Sequence, residues 1–166
     1  MPVVRQLLAA NEVYAEGHEP QRVPGAWPTR RLAVITCMDA RIDVFAVLGL
    51  HLGEAHVLRN AGGRVTDDIL RSLALSTHVL GTDTVVLMQH TKCGLAGVTD
   101  AQLHDITGAE VHFLPIDDHG DALGEDVDLI ASTPYLAPIR RIVGLVYDIE
   151  SGHAECLIDW RRESQP

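Results

Sequence analysis

Cys37, His90 and Cys93 offer two thiols and an imidazole, the last two in an H-x-x-C spacing that lets both side chains close on one ion. Cys37 ends the apolar run LAVITC and His90 ends TVVLMQH. Each run reads as a strand buried in a parallel sheet, and open α/β folds build their ligand sites at the carboxyl edge of such sheets. Two thiolates and one imidazole are a set known for catalytic zinc, with a fourth position left open. Taken singly, each residue has a plainer reading, as a small core cysteine or a hydrogen-bonded histidine. Their independent placement at one sheet edge is what favours a metal.

Asp39 and Arg41 follow Cys37 at alternate positions in CMDAR, so the three can share one side of the site. The Asp39 carboxylate has two partners in reach. It can take the metal's fourth position and shut out water, or pair with Arg41 in a charge-assisted, bidentate contact that leaves the metal open. Gly62 and Gly63, in RNAGG at the end of the middle one of three strands, are candidate substrate contacts. Their freedom either lets backbone N–H groups approach an anion or simply permits a tight turn. DDHGD (117–121) reads as a solvated turn, and His51, His56, His78, His104, His112 and His153 as surface or satisfied core positions. Cys156 alternates with apolar residues in the last strand and reads as core.

The elements that must position these groups follow from the pattern of apolar residues. Residues 3–16 carry apolar side chains at helical spacing, and Gly and Pro then break regular structure through residue 29. LAVITC, AHVLRN and TVVLMQH (32–37, 55–60 and 84–90) read as strands, with a short helix in IDVFAVLG. A longer helix is expected to start at an N-cap on Thr66, with Asp67 and Asp68 in its first turn and Gly81 closing it. Such successive βα units imply right-handed crossovers and an open α/β sheet. HFLPI (112–116) suggests a strand, EDVDLIASTPYL a helix, and RIVGLVYDI with HAECLIDW an edge hairpin turning at Glu150–Gly152.

At 166 residues the chain reads as one domain. Thirteen Lys and Arg against 23 Asp and Glu give a formal charge of −10, which repels phosphate backbones and anionic lipid heads. Nucleic-acid and membrane partners are therefore not expected. The N-terminal stretch turns polar after short apolar clusters, unlike a secretory signal, and three widely spaced cysteines make no disulfide framework. These features point to the cytoplasm.

CMDAR, RNAGG and HTKCG, in this order and separation, resemble the C-x-D-x-R and H-x-x-C motifs of the β-class carbonic anhydrases, in particular its short, minimal members. The resemblance implies one Zn2+ per chain on Cys37, His90 and Cys93. It makes Asp39 and Arg41 the family's dyad, with Asp39 as fourth ligand in a closed state. It implies reversible hydration of CO2 to bicarbonate and a proton by zinc-bound hydroxide. For the fold it implies a mainly parallel four-stranded α/β sheet flanked by helices, extended by the C-terminal hairpin. It further implies a homodimer, able to associate further, in which residues 1–30 form the N-terminal helix and dimerisation arm. Plant-type members carry a pocket glutamine before the first ligand motif, and this chain has no Gln between Gln21 and Gln89. Two alternatives stand beside this reading: a zinc hydrolase of CS2 or COS on the same fold, and a non-catalytic zinc-stabilised module. A structural site needs four permanent ligands, so a mobile Asp39 beside Arg41 argues against the latter.

Overall fold

The computed structural model describes residues 2–19 and 25–163. Five strands form one sheet in the order β2-β1-β3-β4-β5, with β1 (Leu32–Cys37), β2 (Ala55–Asn60), β3 (Thr84–His90) and β4 (Arg141–Tyr147) parallel. β5 (Ala154–Arg161) runs antiparallel to β4 at the edge, as the hairpin pattern implies. The middle of the three ligand-region strands is β1, not β2, which is the opposite edge of the sheet. Its unbroken β-branched run follows from that position, since Ala33 to Cys37 are all buried between two covered faces.

One face carries α3 (Asp67–His78) and α5 (His119–Ser132), whose Ile69, Leu73, Leu123 and Ile130 close over Ile35 and Leu87. On the other face α2 (Val44–Leu48) and the loops around Leu95 and Ile116 cover Val34 and Met88. Alternate residues of β1 and β3 therefore feed two separate apolar layers, and the ends of both strands open at the same edge.

Several expectations are corrected. HFLPI is not a strand, and only Ile116 bridges, to Ala96. DDHGD is not a solvated turn: Asp118 caps α5 by accepting from the N–H groups of Gly120 and Asp121, and His119 begins the helix. α5 begins upstream of EDVDLIASTPYL, where Ala122 and Leu123 are buried, and ends at Ser132, with Pro134–Leu136 a separate 3-10 turn. α3 ends at His78, before Gly81, with Val79 as its C-cap. α4 (Asp100–Thr107) is an additional helix, started by a capping box between Thr99 and Gln102.

Cys156 is exposed rather than buried. Leu145 faces Cys156 while Gly144 faces Ile158, so Leu157 is an extra residue in β5. That bulge reverses the alternation, so Ile158 and Trp160 face the core and Cys156 faces out.

α1 (Pro2–Glu16) forms where the apolar spacing indicates, yet none of its residues is buried. Val3, Val4, Leu7, Leu8, Val13 and Tyr14 all face solvent. The proline-rich arm expected after it lies partly outside the described residues, which omit 20–24.

Candidate metal centre

The ends of β1 and β3 bring Cys37 and His90 to one edge, and the following turn returns Cys93 to them. Their ligand atoms all lie within 4.8 Å of one another, with the two sulfurs 3.9 Å apart, and all three residues are buried. Lys92 makes this return possible by adopting a left-handed backbone, φ 56°, an arrangement that costs a non-glycine residue about 1 kcal/mol or more.

His90 is set up as a ligand. Its Nδ1–H donates to the Thr91 carbonyl at 2.9 Å, which fixes the tautomer and leaves a lone pair on Nε2. That Nε2 is buried and has no hydrogen-bond partner among the described residues. Burial pushes the His90 pKa down, keeping the ring neutral. Burial, with the neighbouring Cys37, pushes the Cys93 thiol up. An uncompensated imidazole nitrogen beside two buried sulfurs 3.9 Å apart is what a dipositive cation would satisfy, so the residues fit zinc.

Asp39 is turned to Arg41. The guanidinium donates from Nε to Oδ1 at 2.9 Å and from Nη2 to Oδ2 at 2.6 Å, and the Arg41 backbone N–H donates to Oδ1 at 2.9 Å. These bonds hold the Asp39 carboxyl well below the usual carboxylate range. Oδ2 nevertheless lies 3.8 Å from His90 Nε2, so the same carboxylate borders the ligand position. Arg41 is fixed in turn by the Lys92 carbonyl at 3.1 Å.

A cavity of about 280 Å³ opens beside the sulfurs, with Met38, Asp39, Ala61, Gly62 and Leu95 among its walls. It suits a small apolar molecule brought against a polar edge. Gly62 lines it, whereas Gly63 packs elsewhere: a Cβ on Gly63 would stand 2.8 Å from the Thr36 carbonyl carbon and 2.9 Å from the Cys37 nitrogen. Close approach to β1, with φ 67°, accounts for that glycine. A larger groove, about 480 Å³, lies between β2 and α3, away from the metal ligands.

Residue-type patterns overlooked Arg59. Its guanidinium donates to the carbonyls of Cys37 (3.0 Å), Ile42 (3.2 Å) and Asp39 (2.6 Å), fastening the whole CMDAR loop. The available signal was a long cation next to last in an otherwise mostly apolar strand, in register with Thr36 beside the first ligand. Thr91 was missed as well: its hydroxyl donates to Asp148 and accepts from the Ile149 N–H, while Lys92 pairs with Glu150. The histidines outside the centre do read as satisfied or exposed, His56 lying between Ser76 and the Ala26 carbonyl.

The carbonic anhydrase family model matches residues 32–114. β-Carbonic anhydrase 1 of Mycobacterium tuberculosis is 40% identical over 161 residues, covering 92% of this chain and 96% of that protein. A carbon disulfide hydrolase of Acidithiobacillus thiooxidans is 30% identical over 167 residues, covering 83% and 84% respectively. The crystal structure of carbonic anhydrase from Streptococcus mutans superposes with a TM-score of 0.85 at 37% identity, over 95% of this chain and 99% of that one. A thiol–imidazole–thiol set, an acid–base dyad and a parallel sheet thus occur together in a chain whose relatives match it along nearly its full length. The chain belongs to the β-class carbonic anhydrase family.

Proposed function

We propose that this protein is a zinc-dependent carbonic anhydrase that interconverts CO2 with bicarbonate and a proton. The observation that carries the reading is the convergence of the Cys37 and Cys93 sulfurs with the partnerless His90 Nε2, beside the Asp39–Arg41 pair. Zinc held by Cys37, His90 and Cys93 would lower the pKa of water from 15.7 toward about 7, supplying a nucleophile at physiological pH. Thr91 orients His90 by accepting its Nδ1–H. Asp39 would accept a hydrogen bond from the nucleophile's O–H and so orient it toward the substrate carbon. Arg41 holds Asp39 by its bidentate contact; released from it, the carboxylate would be free to join Cys37, His90 and Cys93 as a further ligand. Ala61, Gly62 and Leu95 provide the apolar surface for CO2. Bicarbonate departs through the open side of the cavity, and the proton passes to buffer.

Hydrolysis of CS2 is the second reading, favoured by the A. thiooxidans relative and by the apolar cavity. The fuller and closer match to M. tuberculosis β-carbonic anhydrase 1 favours CO2. Metal analysis paired with stopped-flow hydration at pH 7 and pH 9 decides between them. We expect zinc near one per chain and faster hydration at the alkaline pH, because two thiolates neutralise the metal's charge. Full zinc with CS2 turnover and no hydration would replace this reading by the second. A structural module would show zinc and neither activity.

The chain acts as a single domain whose N-terminal helix serves a homodimer. Support comes from the exposed apolar residues of α1 and from the apolar groove along β2 and α3, an available seat for a partner's helix. The cytoplasm is its compartment: none of the three cysteines forms a disulfide, as in a reducing environment. No helix among the described residues is long and apolar enough to cross a membrane.

A further inference from the structure

Arg64 and Asp126 are both buried, their side chains only 3% exposed. Arg64 Nε donates to Asp126 Oδ2 at 2.8 Å, and Nη2 donates to Glu125 at 2.9 Å. Nη1 donates to the carbonyls of Leu114 and Pro115 at 3.0 and 3.3 Å. The other Asp126 oxygen, Oδ1, accepts the Val65 N–H at 3.1 Å. Removing two charges from water is costly, and an apolar pair in their place is often as stable. Stability alone therefore gives no reason for this arrangement, and its position supplies one.

The stem of Arg64 stands directly behind the substrate cavity. A Cβ on Gly62 would meet Leu95 Cδ1 at 2.9 Å, Arg64 Cγ at 3.3 Å and Ile116 Cδ1 at 3.4 Å. Gly62 and Leu95 line the cavity, and Ile116 is tied to Leu95 by its N–H donating to the Leu95 carbonyl at 3.0 Å. Arg64 thus grips the segment just before Ile116 from one side, while Asp126 grips the segment just after Gly63 from the other. Between them they fix the distance from the glycine turn to Leu95.

We propose that Arg64 and Asp126 are positioning residues that set the width of the substrate cavity through the Gly62–Leu95–Ile116 wall. The proposal rests on the carbonic anhydrase reading of the site and assigns neither residue a contact with substrate or metal.

The test uses Arg64→Lys and Asp126→Asn in the full-length zinc enzyme, with cobalt(II)-substituted samples of each. Lysine keeps the charge opposite Asp126 but cannot also bridge the two carbonyls. The expected result is a KM for CO2 raised roughly tenfold with kcat nearly unchanged. Thiocyanate, a linear triatomic anion, should bind the cobalt protein more weakly by a similar factor, while the cobalt spectrum without anion stays that of the wild type. Arg64→Lys, which retains half of the contacts, should fall between wild type and Asp126→Asn. An unchanged KM and thiocyanate affinity in variants that merely melt earlier would overturn the proposal, as would an altered cobalt spectrum in the absence of anion. If the wild type fails to hydrate CO2, the functional reading falls, and thiocyanate affinity still decides whether the pair shapes the cavity.

Discussion

The loop after β1 and the loop after β3 deliver ligands to the same point, yet they are fastened differently. The first leans on one side chain of a neighbouring strand, because Arg59 bonds the carbonyls of Cys37, Asp39 and Ile42, sharing that of Asp39 with the Ile42 N–H. The second spreads its attachment: Thr91 bonds Tyr147, Asp148 and Ile149, Lys92 pairs with Glu150, and Cys93 accepts from the Ala96 N–H. A loop held from a neighbouring strand by a single fork is more vulnerable to substitution than one knitted into a hairpin turn. The dyad lies between them, Asp39 on the first loop and Arg41 reaching the Lys92 carbonyl of the second.

The largest effect should erase the difference. Cys37→Ser and Cys93→Ser each remove a ligand, so zinc per chain should drop toward zero in both, activity should vanish, and melting temperature should fall because metal binding energy is partly folding energy. If Cys93→Ser keeps its zinc, the second loop is not a ligand loop. Arg41→Ala comes next, severing the link between the loops: we expect hydration to fall about 10–100-fold with zinc retained. Freed from the guanidinium, the Asp39 carboxyl rises toward its ordinary value near 3.9, so the variant's acid-side loss of activity should begin at higher pH than in the wild type.

The comparison itself is sharpened by Arg59→Ala against Asp148→Ala. Urea unfolding should show about 1–2 kcal/mol lost for the first and less for the second, as fits three bonds from Arg59 to the first ligand loop against the one, from Thr91, by which Asp148 holds the second. Equal losses would mean that the loops are held alike. The smallest effect is acid-dependent. N–H groups of Ser151 and Glu150 lower the Asp148 pKa, so its contribution is present above the unfolded value of about 3.9 and is lost as pH falls through the folded value. Between pH 5 and pH 2, Asp148→Asn should therefore lose less stability than the wild type does.

How legible these features were depended on how far a residue's partners lie along the chain. β1 and β3 announced themselves because a strand covered on both faces must be apolar throughout, and their last residues then located Cys37 and His90. H-x-x-C added Cys93 by local spacing alone. Arg59 and Arg64 were silent because their partners lie as far as 22 and 62 residues away in the chain, and nothing near an arginine states which carbonyls it will meet. Cys156 misled through a one-residue bulge that alternation cannot reveal. α5 was placed too late because its cap, Asp118, sits in a stretch of acids that resembles an open turn. Asp39 kept two options in sequence, and the bidentate contact with Arg41 is a geometric fact that spacing only permits.

The 15 residues of α1 bury nothing against their own body. Helices of that length are marginal in water when nothing packs on them. Its ellipticity should thus become a gauge of self-association: dilution ought to drain signal at 222 nm while the fluorescence of Trp160, packed at the far edge of the sheet, holds steady. Local order at one end of the chain would then be a property of concentration, and order at the other a property of the single molecule.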